Sequence, residues 1–274
     1  MTGAGTAVRL PHSTAPGAAQ MALDAALLAW TALAPDRLAF RTYAWSRPTI
    51  SLGRREPFPS GWDVARLRAD GIDVVRRPTG GDAVFHDDEL TFAVAASLPG
   101  PWGLPPRGFA DAVAEAVARA LTHAGVEARR VEVPDAVPGA DPRTSGLACF
   151  ARAARGEVRA GGYKVAGIAS RFARGAALCH ASVPLGTRYR DVARYRDDGA
   201  RDCALIEAHA RSVGELAGRE VAAAALAELL AEAFAARFRV TLTPAEPAAL
   251  GIDADAAPET ELLTAAPAGR GGRA

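Results

Sequence analysis

The stretch RRPTGGDAVFHDDELTF, Arg76 to Phe92, constrains the fold more than any other part of the chain. It follows the β-branched run GIDVV, so the spacing predicts strand, glycine turn, strand, and its paired glycines let the backbone approach a ligand closely. Val84 and Phe85 resume the strand. His86, Asp87, Asp88 and Glu89 then crowd four ionisable groups into its end. A hairpin with a charged rim is the plainer explanation, but a surface turn has no need of arginines, glycines, histidine and carboxylates together.

The remaining segments read as elements packed around that stretch. Ala18 to Leu33 has apolar residues at helical spacing around a lone Asp24, which predicts a largely buried helix. RLAFRTYAWSRPTISLG alternates like one or two strands and ends at Arg54 and Arg55, and WDVARLRADG is a short helix closing on Gly71. ELTFAVAAS extends the second strand of the opening stretch; residues 108 to 124 form a helix and VEARRVEV a strand. Pro134 to Gly146 is a mobile loop by composition and leads to Cys149-Phe150. GEVRAGGYKVAGIASRF reads as a hairpin turning at Gly161-Gly162, and GAALCHASVPL as a further strand. Residues 203 to 237 are alanine-rich helix interrupted near Ser212. The expected fold class is α+β, or mixed α/β, with a largely antiparallel mixed sheet flanked by helices. Residues 1 to 16 are expected to be a flexible N-terminus, 17 to 242 one folded domain, and 243 to 274 a low-complexity tail.

Composition narrows the chemistry. A net charge of +1 gives no global pull toward nucleic acid or an anionic membrane. No apolar run reaches the ~18 residues needed to span a bilayer, and the N-terminus lacks the pattern of a signal peptide. Three irregularly spaced cysteines make neither a disulfide framework nor a metal site, so a reducing cytoplasm is expected. There is no GxGxxG, GxxxxGK[ST] or GxSxG motif. Lysine and arginine together number 32, yet Lys164 is the only lysine. Its compact ammonium differs from the arginine fork, which marks it as a functional position among the small residues of GGYKVAG. Cys149, between loop and strand, is the best nucleophile candidate, and a hairpin folding back would bring Lys164 beside it to favour the thiolate. Cys179 and Cys203 are expected in the core. His86 has ionisable neighbours, and His180 faces away from Cys179 by the two-residue alternation of a strand.

Together, RRPTGGDAVFHDDELTF and GGYKVAGIASRFARGAALCHASV resemble the biotin/lipoate protein ligase catalytic-domain family, closest to its cysteine-dependent octanoyltransferase branch. The resemblance covers roughly residues 18 to 190. It implies a substrate-binding loop from Arg76, Arg77, Thr79, Gly80 and Gly81 through Asp82, Ala83, Val84 and Phe85, with Lys164, Gly167 and Ala169 matching the later K-x-x-G-x-A motif. Asp82 departs from the family, where ligases carry a glycine and octanoyltransferases often an arginine, and a carboxylate there would repel a polyphosphate.

The resemblance implies transfer of an octanoyl or lipoyl group from acyl carrier protein to a lysine of a lipoyl domain, such as glycine cleavage H protein or a 2-oxoacid dehydrogenase E2. Cys149 would carry the acyl group as a thioester, with Lys164 holding its carbonyl and His86 or His180 moving a proton. Val84, Phe85 and Phe92 would wall the acyl slot, and Arg54, Arg55, Arg76 and Arg77 would attract the acidic carrier. No cofactor is implied. ATP enters only under the alternative of an ATP-dependent lipoate ligase; a non-catalytic relative that binds an acyl group or lipoyl domain is the other alternative. No GRGRRG-like loop supports biotin ligation.

Overall fold

The computed structural model describes residues 6–132, 148–151, 156–173, 175–253 and 262–264. The chain opens with β1 (Thr6–Arg9), β2 (Ser13–Ala15), α1 (Gly17–Ala32), β3 (Arg37–Trp45) and β4 (Thr49–Leu52). It continues through α2 (Val64–Ala69), β5 (Asp73–Arg76), β6 (Val84–His86), β7 (Glu89–Ser97), α3 (Pro106–His123) and β8 (Ala128–Arg130). A 3-10 turn at Cys149–Ala151 precedes β9 (Val158–Ala160), β10 (Tyr163–Ala173) and β11 (Ala176–Pro184). A 3-10 helix, Arg188–Tyr195, leads to α4 (Gly199–His209), α5 (Val213–Ala217) and α6 (Ala223–Phe238), followed by β12 (Thr243–Pro244) and β13 (Leu262–Thr264).

Local chemistry sets several boundaries. Asp63 accepts the Arg66 backbone N–H at 2.9 Å to start α2, which ends before Gly71 at φ +68°. The break in the alanine-rich helices falls where Ser212 and Glu215 form a reciprocal capping box at the start of α5.

Among the described residues, the large sheet has the order β12-β1-β3-β7-β11-β10-β9-β8, with β2 also on β3. Its pairings from β3 to β8 are antiparallel, whereas β1 and β2 run parallel to β3. A smaller sheet, β13-β5-β4-β6, packs nearby. The fold is therefore the expected mixed α/β arrangement with a mostly antiparallel sheet. The expected looseness of residues 1 to 16 is corrected over Thr6–Arg9 and Ser13–Ala15, whose backbones pair with β3. Thr243–Pro244 and Leu262–Thr264 likewise pair with β1 and β5 instead of lying loose. The loop expected over 134–146 lies outside the described residues.

The stretch from Arg76 to Phe92 also departs from a simple hairpin. Its two strands lie on either side of β4, β5 parallel to it and β6 antiparallel, and the chain then crosses into the large sheet as β7. The intervening loop wraps around the buried Arg77 guanidinium, which keeps the strands two positions apart.

Alternation on β7 and β11 then places the site. Phe92, Val94, Cys179 and Val183 point toward α3 and α6, packing with Phe40, Phe109, Phe234 and Phe238. The intervening residues, including Thr91, His180 and Ser182, face the opposite side. A slip of one residue would drive His180 and Ser182 into that phenylalanine cluster, so burial fixes the register.

Candidate active site

A cavity of about 870 Å³ opens between the polar face of the large sheet and the small sheet, lined by residues from α1, β3, β4, the glycine loop, β6, β10 and β11. Cys149 and Lys164 both line it. Phe150 anchors the 3-10 turn by packing against Tyr189, with ring centroids 5.1 Å apart. The Cys149 N–H donates to the Ala83 carbonyl at 2.9 Å. The glycine stretch therefore grips the backbone of the candidate nucleophile directly.

Lys164 is 1% exposed, and its ammonium donates to the Cys149 carbonyl at 2.5 Å and to Cys149 Sγ at 3.3 Å, while pairing with Glu157 at 2.7 Å. Burial pushes the Cys149 thiol up, with Glu157 and Asp82 adding to the rise and Lys164 and Arg77 opposing it. Burial alone would push Lys164 down, but Cys149 and Glu157 hold it above the ordinary lysine value. The resting pair is thus a thiol beside an ammonium.

A β-bulge explains the spacing of the K-x-x-G-x-A motif. The register of β10 against β9 shifts between Lys164 and Ala166, so that Val165 and Ala166 both enter the core. Lys164 and Gly167 then share the cavity side: a Cβ built at Gly167 would lie 3.1 Å from Cys149 Sγ and 3.7 Å from Lys164 Nζ. Gly167 and Ala169 lie across from Ser182 and His180 on β11. Small residues at these positions leave the space that the cavity occupies.

Two polar networks form the deeper wall. His180 is hydrogen-bonded through Nδ1 to Asp24 at 3.0 Å and through Nε2 to Thr79 at 2.5 Å. Asp24 also accepts from Arg41 at 2.9 Å and from Tyr43 at 2.9 Å. Burial raises the Asp24 pKa, but Arg41, His180 and Tyr43 together bring it below the usual carboxylate value. His180 is lowered by burial, reinforced by Arg77 and His86 against the opposing pull of Asp24. A neutral ring donating from Nδ1 and accepting at Nε2 satisfies every partner. His86 bonds Glu89 at 2.7 Å and Ser51 at 2.7 Å, and stacks on Trp45 with centroids 4.0 Å apart. Glu89 gathers further donors from Trp45, Thr91 and Ser182. Both ring nitrogens of each histidine are engaged by the wall.

In the glycine loop, Arg77 donates to the carbonyls of Ser51 (2.8 Å), Gly80 (2.7 Å) and Asp82 (2.8 Å). Gly81 has φ +92°, and a Cβ there would stand 2.9 Å from Arg77 Nη2, so glycine is required twice over. Glu56 lines the same side, accepting from the Gly53 N–H at 3.2 Å. Burial pushes its carboxyl up to about 7, with Asp82 adding and Arg77, Gly53 and Arg196 opposing. An unfolded glutamate titrates near ~4.3. The stability from the proton bound in the folded state is therefore complete below that value and lost as pH rises through about 7. Melting curves at about pH 5 and about pH 8 should show the native chain losing stability relative to Glu56→Gln as pH rises; a constant difference would contradict this.

The structure brings Arg77, Gly80, Gly81, Asp82, Val84, His86, Cys149, Lys164, Gly167, Ala169 and His180 to one cavity. Other expected residues are placed differently. Phe85 is buried in the small-sheet core, stacked on Tyr195 at 6.1 Å, and Phe92 packs among the core phenylalanines, so neither walls the cavity. Both point away because the strand face that carries them is the core face. Arg76 donates to the Gly53 and Glu56 carbonyls at 2.9 Å, Thr79 holds His180, and Ala83 holds Cys149. These three support the loop from behind. Arg54 and Arg55 are exposed at the cavity mouth. Cys179 is buried and pushed up to about 12 by burial, but Cys203 is only half-buried, close to Glu207, and not core. Sequence reasoning did not single out Glu157, Glu56, Trp45 or Ser51. Asp24 was signalled only as the lone charge of an apolar helix.

Among the described residues there is no group of three or more His, Cys, Asp or Glu arranged to hold a metal ion, and no helix long and apolar enough to cross a membrane.

Residues 16–235 match the family model of the lipoyl protein ligase A/B catalytic domain. Octanoyltransferase LipM of Kyrpidia tusciae is 33% identical over 246 residues, covering 87% of this chain and 89% of that protein. Octanoyltransferase LipM of Moorella thermoacetica is 32% identical over 232 residues, covering 82% and 83%. In the structure of the bipartite lipoate protein ligase and its E2 lipoyl domain from Thermoplasma acidophilum, one chain superposes with a TM-score of 0.70 at 20% identity, covering 88% of this chain and 87% of that one. At that identity the likeness concerns the fold alone.

Proposed function

This chain belongs to the lipoyl protein ligase A/B catalytic-domain family and is an octanoyltransferase-like enzyme of protein lipoylation, and from that premise we propose that Cys149 carries the acyl group between two proteins. The observation that carries the reading is the Cys149 sulfur 3.3 Å from the chain's only lysine, at the cavity between the two sheets.

In the first half, Cys149 sulfur attacks the thioester carbonyl of octanoyl-acyl carrier protein. The carbon–sulfur bond to the carrier breaks, the one to Cys149 forms, and the thiol proton goes to the departing carrier sulfur. Thioester replaces thioester, so no ATP is consumed. In the second half, the amine of a lipoyl-domain lysine attacks the Cys149 thioester, the amide carbon–nitrogen bond forms as the carbon–sulfur bond to Cys149 breaks, and the amine proton goes to the released Cys149 sulfur. Burial raises the Cys149 pKa, so its released thiolate is a fitting acceptor for that proton. Lys164 stabilises the negative charge that develops on the carbonyl oxygen in each half. His86 and His180, each held through both ring nitrogens, shape the wall; a proton route through either one passes by way of Ser51 or Thr79. Arg54 and Arg55 at the mouth favour an acidic carrier.

The ATP-dependent ligase reading fits less well. Asp82 and Glu56 both face the glycine-loop side of the cavity, where carboxyl groups would oppose a bound polyphosphate. Incubation with octanoyl-acyl carrier protein and a lipoyl domain, with and without ATP, separates the two. We expect equal octanoylation in both; strict dependence on ATP would defeat the thioester route.

Gly167→Ala offers a geometric check, because its Cβ would press on Cys149 Sγ at 3.1 Å. Displacing the nucleophile from Lys164 should slow transfer by about 10–100-fold while the melting temperature changes little. An unchanged rate would show that the sulfur need not occupy its observed place.

A further inference from the structure

Lys164 reaches the site buried, and among the described residues its ammonium meets the Glu157 carboxylate at 2.7 Å, the Cys149 carbonyl at 2.5 Å and Cys149 Sγ at 3.3 Å. Of these, Glu157 alone brings an opposite formal charge. It is 5% exposed, lies immediately before β9 and lines the cavity. A buried carboxylate beside an ammonium is not needed to terminate the hairpin, whose turn is already made by Gly161 and Gly162 at φ +57° and +85°. The side chain is instead aimed across β9 and β10 at the candidate nucleophile's partner.

We propose that Glu157 is a positioning residue for the Cys149–Lys164 pair, fixing the direction of the Lys164 N–H groups and keeping the Cys149 sulfur protonated until a substrate carbonyl is seated. The proposal rests on the reading of Cys149 as the acyl-carrying nucleophile. Glu157 and the Cys149 carbonyl hold the ammonium in direction, and the N–H on the sulfur turns to the incoming carbonyl oxygen as the carbon–sulfur bond forms. The anion also makes the ammonium's charge less available to the sulfur, so a reactive thiolate does not stand exposed between turnovers. Other charged groups facing the pair are Arg77 and Asp82 from the glycine loop. From α4, Asp202 accepts the Ala148 N–H beside Cys149 and pairs with Arg196 at 3.3 Å.

The test is the pH dependence of Cys149 alkylation by iodoacetamide, read by peptide mass so that the half-buried Cys203 is scored separately. Removing the anion in Glu157→Gln should move the Cys149 midpoint to lower pH by about one unit. It should also lower kcat more than KM. Glu157→Asp, which keeps the charge on a shorter arm, should fall between the variant and the native chain. A Glu157→Gln midpoint equal to or above the native one overturns the proposal. If that variant does not fold, an Asp variant with a native midpoint does the same. The native chain is mixed in parallel with octanoyl-acyl carrier protein. Absence of an adduct on Cys149 there would defeat the functional reading, whereas a normal adduct with unshifted midpoints would defeat only the role of Glu157.

Discussion

Cys149→Ala should lose octanoyl transfer altogether, leaving no more than the background reaction of the amine with the thioester, while its melting temperature stays near that of the native chain. The sulfur is half-buried at the cavity, and its removal takes away no core contact comparable to that of Phe150. Cys149→Ser should be nearly as inactive, because a hydroxyl in the same buried place ionises far less readily than a thiol. Retention of transfer in either variant would mean that the amine attacks the carrier thioester directly, with the chain acting as a template.

The second large effect is expected at Lys164. Its Nζ lies within 3.3 Å of Glu157, the Cys149 carbonyl and Cys149 Sγ, a convergence that a compact ammonium meets and a planar guanidinium fork does not reproduce. Lys164→Arg keeps the charge, yet transfer should fall by about 10²–10³-fold, the usual loss when a group stabilising a developing oxyanion is misplaced. The Cys149 alkylation profile should also move, since the ammonium no longer faces the sulfur at the same distance. If Lys164→Arg transfers octanoyl at the native rate, charge alone suffices and the observed geometry carries no catalytic advantage.

The sequence was most informative where residue type and spacing coincide with a single physical demand. Paired glycines beside arginines suggested a loop approaching a ligand; in the structure the loop closes around Arg77, and Ala83 holds Cys149. The isolation of Lys164 in an arginine-rich chain singled out a residue that the structure places beside Cys149. Alternation correctly separated Cys179 from His180. The same alternation was not applied to Phe85 and Phe92, where aromatic character suggested an acyl wall although their strand faces point into the cores. Lys164 and Gly167 would fall on opposite faces of a regular strand, and only the bulge after Lys164 puts them together. A bulge has no reliable signature in a single sequence. Glu157 and Asp24 were hard to find for a different reason. Each is an ordinary acidic residue in its own segment, and acquires meaning from a partner brought by folding: Lys164 across the hairpin, and Arg41 and His180 from two separate strands. The mixed order of the large sheet, with β1 and β12 at its edge, likewise depends on long-range pairing of segments too short and polar to announce themselves.

The central claim is that the acyl group passes through Cys149. Intact-mass measurement of the native chain mixed with octanoyl-acyl carrier protein, without ATP or lipoyl domain, tests it most directly. The expected result is a gain of one octanoyl group in place of one hydrogen, mapped to the peptide containing Cys149 and discharged when a lipoyl domain is added. An unmodified chain that nevertheless octanoylates the lipoyl domain, or an adduct mapped to Cys203, would contradict it.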